Sequence, residues 1–253
     1  MFDIIRIPAL KDNYIWLLRK GATVIAVDPG EAAPVLALLR REGLRLSAIW
    51  VTHHHHDHQG GIVELRAHTA AEVYGPAAES ITALTQPLRG GETISPAEFG
   101  VSFQVLAVPG HTAGHLAYFG GGCLFCGDTL FGAGCGRLFE GTAAQMLASL
   151  ACLKALPDET LVYCAHEYTA RNLPFALAAE PGNAQLQQRA EALAEACARG
   201  EASVPSRMAL EKATNPFLRC HVPEVIAAAL RQGAASTAPV DVFAALRAWR
   251  DVF

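Results

Sequence analysis

The sequence predicts a mixed α/β chain, with a sheet-rich domain over residues 1–168 followed by a small all-α domain over residues 169–253. Three observations predict it. Short β-rich runs alternate with segments of helical periodicity through the first two-thirds of the chain. Several of those runs end at a histidine or an aspartate. From about Thr169 the composition turns to helix formers and no further strand signal appears.

Taken in order, Ile4 to Ile7, Tyr14 to Leu18 and Thr23 to Val27 read as strands, the last closed by the turn Asp28-Pro29-Gly30. Ala33 to Arg41 carries helical periodicity, and Leu46 to Val51 is an apolar strand that runs straight into a histidine cluster. Val101 to Val108, Leu116 to Phe119 and Leu124 to Phe125 read as strands, Thr142 to Leu156 as a helix, and Leu161 to Cys164 as a strand. In the C-terminal part, Asn183 is an N-cap and Gly200 a stop, with Leu186, Leu193, Ala194 and Cys197 on one apolar face between them. Pro223 to Leu230 and Asp241 to Asp251 also read as helices.

Composition excludes several classes of protein. A chain of 253 residues buries an ample core without a disulfide scaffold. Every long apolar run is broken by a charge, Gly or Pro before the roughly 20 residues that cross a bilayer, so no membrane partner is expected. The stretch Met1-Phe2-Asp3-Ile4-Ile5-Arg6 lacks the features of a secretory signal, and a cytoplasmic location is the expectation. Seven scattered cysteines suit reduced, buried thiols, and the Cys123–Cys126 pair sits in a strand with no second pair to complete a zinc site. A net charge of −4 without a dense basic run argues against a nucleic-acid partner. Attraction for an anionic substrate would then come from a few placed arginines.

The most informative stretch is His53-His54-His55-His56-Asp57-His58. In an extended segment, side chains two apart face the same way, so His53 and His55 can converge on one cation, while Asp57 and His58 beyond the turn reach a second. Neutral imidazole with carboxylate suits zinc, iron or manganese, and the lack of neighbouring cysteine disfavours a closed structural zinc site. A His-rich tract of no function would not be expected to follow a strand and precede Gly60-Gly61 and an apolar segment. Gly110-His111-Thr112-Ala113-Gly114-His115 offers one further ligand from two histidines. Gly127-Asp128-Thr129 offers a carboxylate able to bridge two cations. A lone histidine after a strand is more often structural than a ligand, and spacing alone leaves His166 open.

The order H-x-H-x-D-H at 53–58, then His111, Asp128 and His166, resembles the metallo-β-lactamase superfamily. That resemblance implies a four-layered αββα sandwich with two metals at one edge. One metal would take His53, His55, His111 and Asp128, and the other Asp57, His58, His166 and Asp128. It leaves His54 and His56 out of the ligand set, gives His115 and Asp28 supporting places, and assigns nothing to His68 or His221. The resemblance narrows at Thr52 to Gly61, Gly127-Asp128-Thr129-Leu130-Phe131, Gly134-Cys135-Gly136-Arg137, Phe139-Glu140-Gly141-Thr142, His166-Glu167-Tyr168-Thr169 and Asn215-Pro216-Phe217-Leu218-Arg219. These look like the glyoxalase II family over essentially the whole chain.

That family implies hydrolysis of S-D-lactoylglutathione to D-lactate and glutathione, the second step of methylglyoxal detoxification. The nucleophile implied is a metal-bridging hydroxide, with Asp57 and Asp128 as the catalytic carboxylates. Two divalent cations are implied, zinc first, with iron or manganese also tolerated. The glutathione contacts carry over to Arg137, Phe139, Tyr168, Arg247 and Arg250. Many members have Lys at Arg137, Tyr at Phe139 and Lys at Arg250. Arginine keeps the charge and can clasp a carboxylate with two donors, whereas Phe139 removes a hydroxyl. Read without the family, Arg247 and Arg250 are simply the cationic end of a helix.

Two cations about 3.5–4 Å apart lower the pKa of a shared water toward 7, so a Ser-His-Asp or Cys-His set is not required. A small-molecule glutathione thioester and a monomeric chain are the partner expectations. The competing readings are another hydrolase of the superfamily, a thioesterase, β-lactamase or lactonase; a related persulfide dioxygenase with one iron; and a non-catalytic metal-binding protein. The helical C-terminal domain with Tyr168, Arg247 and Arg250 discriminates among the first group, and oxygen uptake separates the dioxygenase.

Overall fold

In the computed structural model, which describes residues 2–253, the chain opens on an antiparallel meander of β1 (Asp3–Ala9), β2 (Asn13–Lys20) and β3 (Thr23–Val27). Helix α1 (Ala33–Glu42) then crosses over to β4 (Arg45–Trp50), which pairs parallel to β3. Two short helices, α2 (His56–Gln59) and α3 (Ile62–His68), lead to β5 (Glu72–Pro76) and β6 (Gln86–Leu88), also parallel, completing a sheet in the order β1-β2-β3-β4-β5-β6. Every residue of β3 is buried, as a strand covered on both faces must be. On one face Leu17, Val24, Ala26, Ile49 and Val73 pack with Val35 and Leu39 of α1 and Ile62 and Leu65 of α3.

The other face meets an antiparallel set, β7 (Thr93–Ile94), β8 (Phe103–Ala107), β9 (Leu116–Gly120) and β10 (Cys123–Gly127). Trp50 is the wedge between them, with its ring 4.9 Å from Phe103 and stacked 5.1 Å from Tyr118, whose hydroxyl donates to the Val51 carbonyl at 2.7 Å. Gly121 and Gly122, both at positive φ (58° and 78°), form the two-residue turn joining β9 to β10, a conformation that matches the strand twist and that side chains resist. These strands and three helices belong to one unit, the chain up to Ala107 with Thr112–Gly127.

The second unit comprises Val108–His111 and Asp128–Phe253. Its elements are the small hairpin β11 (Leu130–Phe131) and β12 (Gly134–Cys135), α4 (Ala143–Lys154), β13 (Leu161–Cys164), α5 (Thr169–Ala179), α6 (Ala184–Ala198), β14 (Ser206–Arg207), α7 (Met208–Thr214), α8 (Pro223–Arg231) and α9 (Pro239–Val252). Thr142 and Gln145 close a reciprocal capping box at the start of α4, and Asn183 accepts from the Leu186 amide to cap α6. Phe175 stacks on Phe217 at 5.7 Å and meets Trp249 edge-on at 4.9 Å, joining α5 to α9 through a 3-10 turn at Pro216–Leu218.

Two expectations are corrected. A strand does return after Thr169: β14 pairs antiparallel with β13, Leu161 facing Arg207 and Val162 facing Ser206. Two residues are too few to print a period, so only the partner strand defines it. On α6 the expected apolar face is partly wrong: Leu186 is buried and Leu193 half-buried, but Ala194 and Cys197 are exposed. Arg189 is buried on this helix instead, held there by Glu211. No helix among the described residues is long and apolar enough to cross a membrane.

Candidate functional site

The first unit carries a bank of histidines beyond the end of β4. At its base is Asp28, which turns out of β3 at positive φ (50°) and is buried. The following Gly30 is required by close approach, since a Cβ there would collide with the Asp57 carbonyl. The Asp28 carboxylate accepts from the Thr52 amide at 2.7 Å, the Thr52 hydroxyl at 2.7 Å and His58 Nδ1 at 3.0 Å. With its proton given to Asp28, the Thr52 oxygen is an acceptor for His53 Nδ1, 3.0 Å away. These contacts assign the proton to Nδ1 in both rings and the lone pair to Nε2, the state in which imidazole binds a metal.

The ring atoms then converge. His53 Nε2 lies 3.0 Å from His55 Nδ1, and His58 Nε2 lies 3.5 Å from Asp57 Oδ2. Asn13, buried at the start of β2, donates to Asp57 Oδ2 at 2.9 Å and aims that carboxylate. His115 stacks on His53 with ring centroids 4.6 Å apart. His53 and His55 share a side while His54 turns to Glu79, as expected, but residues 52–54 are bends beyond the end of β4 and not the extended segment the expectation rested on. Asp57 and His58 owe their placement to α2 rather than to an extended segment. His56 is exposed.

The second unit brings together His111, Asp128 and His166, all buried. His111 Nε2 is 3.3 Å from Asp128 Oδ2, and His166 Nε2 is 3.4 Å from Asp128 Oδ1. One carboxylate therefore offers one oxygen toward each of two imidazoles. His111 Nδ1 donates to the Arg137 carbonyl at 2.8 Å, again leaving the lone pair on Nε2. His166 stacks on Tyr168 at 4.6 Å, nearly parallel at 11°. Imidazoles held in this tautomer beside carboxylates fit divalent cations, and on this donor chemistry the residues suit such a metal.

Arg137, Phe139, Tyr168, Arg247 and Arg250 line one cleft of about 280 Å³ in the second unit, together with His111 and Asp128. Arg247 is buried: it donates to the Cys135 carbonyl at 2.9 Å and to Asp251 Oδ1 at 3.0 Å, and lies over the Phe217 ring at 5.2 Å. Arg250 reaches Asn172 Oδ1 at 3.3 Å, and burial together with the charge of Arg247 lowers its pKa. Arg137 pairs through Nε with Asp251 at 3.1 Å, and Phe139 sets its ring edge-on to His111 at 5.2 Å. A larger groove of about 740 Å³ along α6 and α7 holds none of the predicted residues.

Sequence reading missed Asn13, Glu79, Asn172 and Asp251. Asp251 was findable, because it stands four residues after Arg247 on one helix. Glu79 was not, being a lone acid in an irregular segment.

Comparison with known proteins gives a consistent pattern. A family model described as "Metallo-beta-lactamase superfamily" matches residues 10–166, and one described as "Hydroxyacylglutathione hydrolase C-terminus" matches residues 167–253. The curated hydroxyacylglutathione hydrolase of Dechloromonas aromatica (strain RCB) is 55% identical over 267 residues, covering 100% of both chains. Among solved structures, ETHE1 from Myxococcus xanthus superposes with a TM-score of 0.67 at 27% identity, covering 100% of this chain and 99% of that one. TTHA1623 in a di-iron-bound form superposes with a TM-score of 0.60, also at 27% identity, covering 85% of this chain and 100% of that one.

Proposed function

We propose, given that the chain belongs to the hydroxyacylglutathione hydrolases of the metallo-β-lactamase superfamily, that it hydrolyses S-D-lactoylglutathione to D-lactate and glutathione in methylglyoxal detoxification. Its fold is that superfamily's αββα sandwich with a helical C-terminal part. The observation that carries the substrate reading is the cleft of the second unit, where His111 and Asp128 share walls with Tyr168, Arg247 and Arg250. Residues 1–168 would form the catalytic domain and 169–253 the glutathione-binding domain.

In this reading His53, His55, His111 and Asp128 would hold one divalent cation, and Asp57, His58, His166 and Asp128 would hold the second. The fixed tautomers of His53, His58 and His111 and the two-sided carboxylate of Asp128 support it. Zinc, iron and manganese all accept such ligands. Bound there, the cations supply Lewis acidity, which brings the pKa of water toward about 7 and so provides hydroxide at neutral pH. Arg137, Arg247 and Arg250 offer guanidinium forks to the carboxylates of glutathione, and Tyr168 and Phe139 offer ring faces beside the peptide. Held by these remote contacts, the thioester carbonyl is oriented toward the ligand cluster. The departing thiol has an ordinary pKa of about 8.5 by analogy with cysteine, so no strong general acid is needed from the chain.

A cytoplasmic location is supported by seven cysteines that are all free thiols.

The test is loss of the thioester absorbance of S-D-lactoylglutathione with metal-loaded wild type, with Arg250→Ala, and with the Arg247→Ala, Arg250→Ala double variant. Activity in the wild type with KM raised stepwise through the variants is the expected result. A wild type inert toward this substrate while cleaving other thioesters or lactones overturns the glutathione assignment.

A further inference from the structure

Between β5 and β6 the chain makes an irregular excursion that carries Glu79, whose side chain is only 3% exposed. A buried carboxylate away from any arginine or lysine must be held by other donors, and this one receives four hydrogen bonds. Oε2 accepts from the His54 amide at 2.7 Å and from His54 Nδ1 at 3.0 Å. Oε1 accepts from the Thr112 hydroxyl at 2.5 Å and from the Gly114 amide at 2.8 Å. One oxygen thus grips the loop that carries His53 and His55, and the other grips the loop that begins after His111 and carries His115.

The same excursion is tied to the histidine loop a second time. Gln59 of α2 donates to the His54 carbonyl and accepts from the Thr82 amide at 2.7 Å. Two independent attachments therefore fix residues 79–82 against the stretch that holds four of the proposed metal ligands. Neither Glu79 nor His54 belongs to the proposed ligand set, so these contacts serve the placement of other residues.

We infer that Glu79 is a positioning residue for the metal centre: its carboxylate clamps the loop that carries His53 and His55 against the loop that begins at Thr112, so that the ligands flanking His54 are held ready for cations. This rests on the metal-site reading above and extends it to a residue outside the ligand set. The chemistry is specific to a carboxylate. An amide at position 79 would present an NH₂ group to one side, and it would then face either the His54 or the Gly114 backbone N–H, neither of which can accept. Glutamine keeps the size and loses the grip on one loop.

The experiment compares wild type, Glu79→Gln and Thr112→Val as apo-proteins. It measures zinc affinity by competition with a chromophoric chelator, checks folding by circular dichroism, and then determines kcat and KM on the zinc-loaded forms. Outer contacts of this kind govern metal affinity by about 10–100-fold, and a loss of that size is expected for Glu79→Gln, with kcat lowered and KM within about twofold. Thr112→Val removes one of the four bonds at constant shape, and a loosening of about three- to tenfold is expected. A folded Glu79→Gln protein with wild-type zinc affinity overturns the inference. If Glu79→Gln does not fold, wild-type affinity in Thr112→Val does so in its place. A wild type that binds zinc but leaves S-D-lactoylglutathione intact overturns the substrate reading and not this one, whose readout is metal affinity.

Discussion

Asp251 sets the posture of two of the cleft's arginines. Arg247 has other holds, in the Cys135 carbonyl and the Phe217 ring, so it stays in place without Asp251. Arg137 does not: its side chain is 55% exposed and its ion pair is with Asp251. The position is held by arginine here, and only a guanidinium offers an Nε donor to the aspartate while keeping its terminal nitrogens for a ligand. Asp251→Asn is therefore expected to lower stability by about 1–3 kcal/mol, the scale of a hydrogen bond to a charged group, because its partner Arg247 is buried, while raising KM for the glutathione thioester several-fold. Steady-state kinetics beside a thermal melt check it, and a lowered KM would mean that Asp251 competes with the substrate's carboxylate instead of presenting Arg137. Asp28 works at the same scale on the metal side. Its three accepted hydrogen bonds hold Thr52 and His58, so Asp28→Ala is expected to weaken zinc binding by about 10–100-fold in a chelator competition. Unchanged affinity would show that the ring of His58 is oriented by packing alone. Asp28 was legible in the sequence as the acid that closes a strand, and Asp251 could be found there too, four residues after Arg247 on the same helix.

The β11–β12 hairpin shows what elements add to side chains. Its two-residue strands have no hydrophobic period and are held from outside. Asn215 donates to the Phe131 and Gly134 carbonyls at 3.1 and 2.9 Å, Asn172 to the Gly132 carbonyl at 3.0 Å, and the Ala133 amide donates to Glu211 at 2.9 Å. Glu211 is itself fixed by Arg189 of α6 at 2.5 Å. The helices thereby anchor the hairpin whose Cys135 carbonyl receives Arg247. Removing one member of a buried ion pair leaves an uncompensated charge, so Arg189→Ala is expected to lower unfolding free energy by about 3–5 kcal/mol. Replacing both by apolar residues of similar volume, Arg189→Met with Glu211→Leu, is expected to recover little of that loss, because the buried Ala133 amide and Asn215 then lose their acceptor. Denaturant titrations of the single and double variants check it, and a cost below about 1 kcal/mol for the single would show that water reaches the pair. The same hairpin explains which elements could be read from sequence. β3, α1, α4 and β13 announce themselves by a sustained period or a cap, whereas β7, β11, β12 and β14 are two residues long and exist because a neighbour pairs with them. The Asn215-Pro216-Phe217 motif was visible, but that its amide holds a distant hairpin was not.

Across the whole molecule the proposed ligand set was legible because its residues fall in order after strands, while several of the hydrogen bonds around it come from segments with no pattern of their own, Glu79 above all. The cysteines divide the same way. The sequence suggested buried thiols, and five of the seven are buried, but Cys152 and Cys197 lie on the outer faces of α4 and α6. Cys135 is the informative case, because it lines the cleft in which a thiol product would be released. Burial pushes its pKa up to about 11 despite the neighbouring Arg247, and pushes Cys164 and Cys220 to about 12. Exchange and alkylation proceed through the thiolate, whose fraction at pH 8 is about a thousandth for a pKa of about 11. The product thiol therefore meets a protonated, unreactive neighbour at neutral pH, and reactivity at Cys135 should rise only as the pH approaches 11. Brief alkylation of the native protein at pH 8, mapped by mass spectrometry, is expected to modify Cys152 and Cys197 and to spare the other five. Modification of Cys135 at a comparable rate would show that the cleft opens its hairpin to water, and would place the thiol within reach of the chemistry from which burial now separates it.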